Sequence, residues 1–312
     1  MGSALSWVLP FTPYPYRGET GACDLCGATA AELICEYDRR FKRLRTVACH
    51  RCGLIRTDPM PTAAEVADYY RLTYRRDYQM GATRPSRRHR NRAEREAKER
   101  LALLAPAVRP GARLLDFGSG AGVFLGAAAA AGYAVTGIEP GADYASYART
   151  TYGVEVINEM WENVRQPLAP FDAITAVEVL EHLRQPVAAL RWLASLAAAD
   201  GVIYITVPNA LPNGRETFRN FHFAHLYNFT PTTLAWAGGA CGLEPDPRVA
   251  SSGTHIAFRK TSAGSLPAFD QNLGEGVSKL YPRDSVARYI FSGRWLVSRA
   301  RQIRRTVRDT VA

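Results

Sequence analysis

A chain of 312 residues with 47% apolar and 22% charged residues has ordinary globular composition, and its length allows one large domain or two. No apolar run approaches the ~20 residues of a bilayer span, and the first ten residues lack the basic start and long apolar centre of a secretion signal, so a cytoplasmic location is expected. The formal net charge of +10 is uneven: residues 39–56 carry +7, 84–100 carry +5 and 283–312 carry +6, leaving −8 on the rest. Basic appendages on a mildly acidic body attract phosphates, whether of nucleic acid, anionic lipid or a nucleotide-linked metabolite.

Four of the six cysteines fall in two knuckles, Cys23-Asp-Leu-Cys26-Gly27 and Cys49-His-Arg-Cys52-Gly53. Two residues between thiolates let one tight turn offer both sulfurs to a tetrahedral ion, and a glycine after each pair suits a positive φ. Between the knuckles, Glu32–Tyr37 and Phe41–Ala48 read as hairpin strands joined at Asp38-Arg39-Arg40, which would bring the pairs together. The pattern predicts a zinc ribbon over residues 1–60, with Cys23, Cys26, Cys49 and Cys52 as ligands. Four sulfurs leave no open position, so the Zn2+ is expected to be structural. Two disulfides or a redox pair are the alternatives. His50 is expected to be exposed, and Cys35 and Cys241 to be ordinary buried thiols.

A turn at 57–62 follows, and Thr62 with Glu65 has capping-box spacing. Residues 62–80 carry Tyr69, Tyr70, Tyr74 and Tyr78; residues 86–104 read as a charged helix ending in Leu101, Leu103 and Leu104 before Pro106. Residues 61–105 are therefore assigned to a helical linker.

From Arg113 the pattern changes to strand–turn–helix units. Residues 113–117 form an apolar strand, Gly118-Ser-Gly120-Ala-Gly122 a glycine-rich turn, and a small-residue helix runs through Ala131. Such a turn between a parallel strand and a helix lets a cofactor approach the backbone. A second strand, 133–138, ends in Glu139, where a carboxylate can grip ribose hydroxyls. The sixth position of the dinucleotide fingerprint is Val123 rather than glycine, so these features alone admit several nucleotides.

The ordered set Asp116-x-Gly118-x-Gly120-x-Gly122, Gly137-Ile-Glu139-Pro140, Phe171-Asp-Ala-Ile174, Glu178-Val-Leu-Glu181-His182-Leu183 and His222-x-x-His225-x-Tyr227-x-Phe229-Thr230 resembles class I S-adenosylmethionine (SAM)-dependent methyltransferases, nearest the group that includes ubiquinone-pathway O-methyltransferases. The knuckles with Asp58-Pro59-Met60-Pro61 resemble the N-terminal module of methyltransferases from bacterial sugar and polysaccharide gene clusters. The resemblance implies an α/β fold over 106–262, a seven-stranded Rossmann-like sheet of order 3-2-1-4-5-7-6 with strand seven antiparallel. Strand three would be Val154–Ile157, strand five Gly201–Val207, and strands six and seven Leu243–Ala250 and Thr254–Arg259. It further implies SAM held by Asp116, Gly118, Gly120, Gly122 and Glu139, with Asn158 and Glu159 near the adenine and Glu178 completing the site.

Histidine titrates near neutrality and can take an acceptor's proton. His225 is the favoured base, then His222, with Tyr227 orienting the acceptor and His182 shaping the site; Glu178 and His182 are four apart and would share a helical face. The expected reaction is methyl transfer to a sugar, glycan or related small metabolite, on oxygen or else on carbon. An RNA methyltransferase with a zinc module and a silent scaffold of the same fold are the alternatives. The tail 263–312 repeats apolar or small positions at Tyr289, Gly293, Leu296, Ala300, Ile303 and Val307, flanked by arginines. Such a basic amphipathic helix fits either peripheral contact with the inner face of a membrane or packing on the protein itself.

Overall fold

The computed structural model describes residues 4–7, 9–70, 87–168, 170–261, 273–282 and 286–293. Strands β1 (Ala31–Tyr37), β2 (Arg43–Cys49) and β3 (Ile55–Thr57) form an antiparallel meander, the predicted hairpin plus one strand. The turn is built on Asp38, whose Oδ1 accepts from the amides of Arg40 and Lys42 while Oδ2 accepts from the Tyr14 hydroxyl at 2.6 Å. Lys42 is fully buried. Its three ammonium donors go to the carbonyls of Ser6 and Leu9 and to Thr12 Oγ1, so a buried charge ties the N-terminal segment to the ribbon with its hydrogen bonds satisfied.

Helix α1 (Ala63–Tyr69) opens on the predicted capping box: the Thr62 amide donates to Glu65 Oε2 at 2.8 Å and the Glu65 amide to Thr62 Oγ1 at 3.3 Å. Helix α2 (Arg87–Leu104) leads to β4 (Arg113–Phe117), α3 (Val123–Ala130), β5 (Ala134–Ile138), α4 (Ala142–Tyr152), β6 (Glu155–Ile157) and β7 (Phe171–Val177). Helix α5 (Pro186–Leu196), β8 (Ala197–Thr206), a two-residue β9 (Tyr227–Asn228), α6 (Pro231–Gly239), β10 (Leu243–Pro245) and β11 (His255–Lys260) complete the core, followed by α7 (Leu273–Lys279) and α8 (Val286–Phe291).

The large sheet has seven strands in the order β10-β11-β8-β7-β4-β5-β6, with β4 to β8 parallel and β11 antiparallel to β8. This is the expected order read from the opposite edge. Adjacent strand residues point to opposite faces. Leu115, Ile174 and Ile203 therefore join one core with Leu190, Leu193 and Leu234 of α5 and α6, while Leu114, Ala173 and Val202 join a second with Phe124, Leu125 and Ala148 of α3 and α4. Strand β10 ends at Pro245, short of the predicted Ala250. Proline cannot donate to a ladder, and Asp246 turns the chain by accepting from the Arg248 amide and side chain.

One connection was not expected. Strand β9 pairs with β3, Ile55 opposite Asn228 and Arg56 opposite Tyr227, so the small sheet reads β1-β2-β3-β9. The segment that follows β8 of the large sheet thus becomes the fourth strand of the ribbon. The amides of Thr57 and Ala210 donate to the carbonyls of Leu226 and Phe229 on either side of it.

The C-terminal elements also pack on the ribbon. Tyr289 is buried against Phe41 and Phe218, and Ser278 bonds to Glu32. The apolar position of the tail stripe at Tyr289 is therefore covered by protein; Leu296, Ala300, Ile303 and Val307, like Tyr74 and Tyr78, lie outside the described residues.

Helix α5 has no side-chain cap of its own at Gln185; Asp24, between the first pair of cysteines, accepts from the Val187 amide at 2.8 Å instead. Asp24→Ala should lower unfolding free energy by about 0.5–2 kcal/mol, the usual contribution of an N-cap, as read from urea denaturation at constant m-value.

Candidate active site

The glycine-rich turn leaves the carboxyl end of β4. The amides of Gly118 and Ser119 donate to the Ile138 carbonyl at 2.8 and 3.0 Å, clipping the turn onto the end of β5. Gly118 has φ +77°, and a Cβ there would lie 2.4 Å from Val179 Cγ2. Gly120 has φ +53°, and a Cβ there would meet nothing within 4 Å: the space before it is open. Its amide donates to Glu139 Oε2 at 2.9 Å, and the Gly141 amide donates to Oε1 at 2.7 Å. Two backbone amides thus fix the carboxylate at the lip of this open space, and a carboxylate can accept more than two donors. Ser119 Oγ, in the turn, is buried without a partner among the described residues. An open glycine and an anchored carboxylate fit a ligand that brings hydroxyls close to the backbone, such as the ribose of SAM.

Asp116 serves the cradle from behind. It is buried, accepts from Thr175 Oγ1 at 2.5 Å, and lies 3.5 Å from Arg100 Nη1 of α2. Burial pushes its carboxyl up from the usual range, with Arg100 and Thr175 acting against it. Sequence reasoning did not single out Arg100, whose guanidinium also covers the Phe124 ring at 4.2 Å. Asn158 donates to the carbonyls of Glu139 and Pro140 and so braces the turn after β5; Glu159 is exposed.

Five titratable side chains, Glu178, Glu181, His182, His222 and His225, gather beyond β7. Glu178 has φ +56°, a conformation costly for a residue with a side chain and frequent at functional sites. The chain then makes a 3-10 turn, Leu180–His182, rather than an α-helix, so the expected shared face of Glu178 and His182 does not form. The neighbour of His182 is Glu181 instead, its Oε1 3.8 Å from His182 Nε2 and 3.9 Å from His225 Nε2. The adjacency of Glu181 and His182 in sequence was the available signal, but a helical periodicity points the two apart. The His225 amide donates to the His222 carbonyl, a tight turn that brings the two rings to 3.8 Å between centroids with their planes tilted by 48°, and His182 stands edge-on to His225 at 4.9 Å. The roof over them is set by the ribbon: the Arg39 amide donates to the Phe221 carbonyl, and Tyr69 and Trp7 pack on Phe223.

Burial lowers the pKa of all three imidazoles, His182 to about 4, with the charge of Arg39 adding to the effect at His222 and His225. Burial also pushes the Glu181 carboxyl well up, reinforced by the charge of Glu178.

The structure thus brings His182, His222 and His225 together and adds Glu181. It does not bring Tyr227 to them. As part of β9, Tyr227 is drawn under the ribbon, buried, with its hydroxyl 3.4 Å from the Arg184 carbonyl, so an acceptor-orienting role does not fit its place. His255 lies exposed on β11.

The four knuckle cysteines form a second centre. Cys23 and Cys52 sulfurs are 3.5 Å apart, as are those of Cys26 and Cys49, and all four lie within 4.8 Å of one another. A tetrahedron with metal–sulfur bonds of about 2.3 Å has sulfurs about 3.8 Å apart, so the donor set fits a zinc-like ion, whereas a disulfide would need about 2.05 Å. Gly27 and Gly53 have the predicted positive φ, and their amides close the knuckles onto Cys23 and Cys49. His50 is exposed.

The family model described as "Methyltransferase domain" matches residues 87–247, more than half of the chain. The chain belongs to this methyltransferase family. The "Ubiquinone biosynthesis O-methyltransferase" of Xanthomonas campestris pv. campestris (strain B100) is 34% identical over 117 residues, 35% of this chain and 48% of that protein. The protein of the same name from Xanthomonas axonopodis pv. citri (strain 306) is 32% identical over 182 residues, 56% of this chain and 67% of that one. The chain spans about half the length of the first of these relatives. Among solved structures, magnesium protoporphyrin IX methyltransferase from Synechocystis PCC 6803 with bound SAM matches at TM-score 0.45 and 16% identity, covering 63% of this chain and 95% of that one. The family match begins at the first residue of α2, so the Arg100 contact to Asp116 belongs to the methyltransferase domain.

A base whose folded pKa is depressed contributes stability that is complete above its unfolded pKa and is lost as pH falls toward the folded value. For His182 this window runs from 6.5 down to about 4. His182→Asn should therefore show a shallower fall in urea midpoint between pH 6.5 and 4 than the wild type.

Proposed function

We propose that the protein transfers the methyl group of SAM to a hydroxyl oxygen of a small-molecule acceptor. The observation that carries this reading is the Glu139 carboxylate, held by the Gly120 and Gly141 amides beside an open cradle. SAM, when bound, supplies a methyl group already activated as a sulfonium. What remains for the chain is to orient the acceptor and take its proton. Gly120 lets the cofactor approach the backbone, Gly118 and Gly122 let the turn pack closely on Val179 and Ala148, and Glu139 binds the ribose hydroxyls. His225, partly accessible and kept neutral by burial, acts as the base at working pH, with His222 packed beside it. Two relatives are named for an O-methylation, which favours oxygen over carbon as the accepting atom. A sugar or glycan unit is the narrower acceptor we propose.

We further propose that Cys23, Cys26, Cys49 and Cys52 hold a structural Zn2+. Its task is mechanical: the ribbon carries β3, and β3 anchors β9 and the histidine segment before it. The cation stays away from the acceptor.

Glu139→Ala should weaken SAM binding roughly 10- to 100-fold in calorimetry, the loss expected for charge-assisted hydrogen bonds to two hydroxyls; undiminished affinity would end the methyltransferase reading. With an acceptor drawn from a panel of nucleotide sugars, glycan fragments and phenols, His225→Asn should lower kcat about 10²- to 10⁴-fold at unchanged SAM affinity. Metal analysis should find one zinc per chain, and Cys52→Ser should lose it together with several degrees of Tm.

A further inference from the structure

Three of the six large apolar side chains that stand exposed among the described residues, Phe11, Leu33 and Phe291, line one groove of about 820 Å³. Phe291, at the end of α8, is 89% exposed. Single exposed apolar residues are ordinary on a surface, but a cluster of them around a cavity marks an interaction site. One wall of the groove is β1, an edge of the small sheet whose strand partner is β2; the other is α8, with Ile290 and Phe291. An open sheet edge invites a further strand. Here two register irregularities, between Leu33 and Cys35 and between Cys35 and Tyr37, bend β1, and Glu32 and Glu36 set carboxylates along the groove. Bulges and charges of this kind disfavour strand addition. The groove therefore suits an occupant that docks by its side chains, apolar on one face with basic groups beside it.

We propose that the chain's own residues 294–312 occupy this groove, as an amphipathic helix laid along β1. The sequence of the segment has the required chemistry. Leu296, Ala300, Ile303 and Val307 make one helical stripe, and the charged residues are six arginines and one aspartate. At about 100° per residue, Arg299 and Arg304 flank the stripe on its two sides, placed to meet Glu32 and Glu36. In this arrangement Arg301, Arg305 and Arg308 face solvent. The starting point and the reach of the segment fit as well. Gly293, at φ +69°, ends α8, with the Ser292 amide donating to the Arg288 carbonyl and the Gly293 amide to the Ile290 carbonyl. Residue 294 thus follows directly on the groove wall formed by Ile290 and Phe291. A helix over 294–308 is about 22 Å long, and the seven residues of β1 span about 23 Å. The two carboxylates that favour this basic occupant disfavour an anionic lipid surface as the partner of the same patch. The docking is independent of the methyl-transfer reading.

Amide hydrogen exchange on the full-length chain tests this. In the wild type, residues 294–308 should exchange at least about tenfold more slowly than an unstructured chain. Ile303→Asp, which puts a charge into the stripe, should abolish that protection and speed exchange at 31–37 and 286–291. Glu36→Arg should cut the protection of 294–308 at low salt, and high salt should narrow its difference from the wild type. Unstructured rates at 294–308 in the wild type overturn the proposal. So does protection that survives Ile303→Asp, or a loss that leaves 31–37 and 286–291 unchanged. Should Ile303→Asp fail to fold, Glu36→Arg decides by itself: undiminished protection at low salt overturns the proposal. Two further outcomes name the rival occupants, and either overturns it. Protection that falls as the protein is diluted would assign the groove to a second copy of the chain. Sedimentation of the wild type, but not of Ile303→Asp, with vesicles of phosphatidylglycerol and phosphatidylcholine would assign the stripe to a membrane.

Discussion

Two residues of strand pairing, Ile55 and Arg56 against Asn228 and Tyr227, hold the working parts of this protein together. The large sheet supplies a floor: the glycine turn, Glu139 and the Glu178–His182 turn all emerge at the carboxyl ends of its parallel strands, where α/β folds place ligands. The histidine segment is held from both sides: His182 Nδ1 bonds the Ala224 carbonyl and the Ala210 amide the Phe229 carbonyl on the large-sheet side, while β9 completes the ribbon on the other. The ribbon, which carries the four clustered cysteines, thus anchors the histidine segment through β3.

The same coupling recurs at other points of the interface. Asp24 caps α5 across the boundary, the Arg39 amide holds Phe221, and Tyr69 with Trp7 fills the space against Phe223. These contacts are short and local, a cap, a turn amide and an aromatic cluster, and each places one part of the roof. Lys42 extends the arrangement to the N-terminal residues by directing all three of its donors to them.

Electrostatics separates the site into two halves. At the cofactor end two backbone amides hold the Glu139 carboxylate in place. At the histidine end burial favours the neutral forms of the three imidazoles and of the Glu181 carboxyl.

Periodicity and spacing alone were enough for the first two strands of the large sheet with the helix between them, the hairpin, the knuckles, the capping box at Thr62 and the glycine-rich turn, because each is written in contiguous residues with a fixed chemical logic. The family resemblance added the other strands and their order. Tertiary structure decided what depends on distant segments meeting. Strand β9 is too short to carry a period, and only its partner makes it a strand. Tyr227 reads as a site residue by its place in a motif, but that pairing removes it from the histidines. Glu181 looks like a helix neighbour facing away from His182, and the positive φ at Glu178 with the 3-10 turn that follows brings both to one side. Local order follows from short-range sterics and hydrogen bonds; a site assembled from four distant turns follows only from how the two sheets are joined.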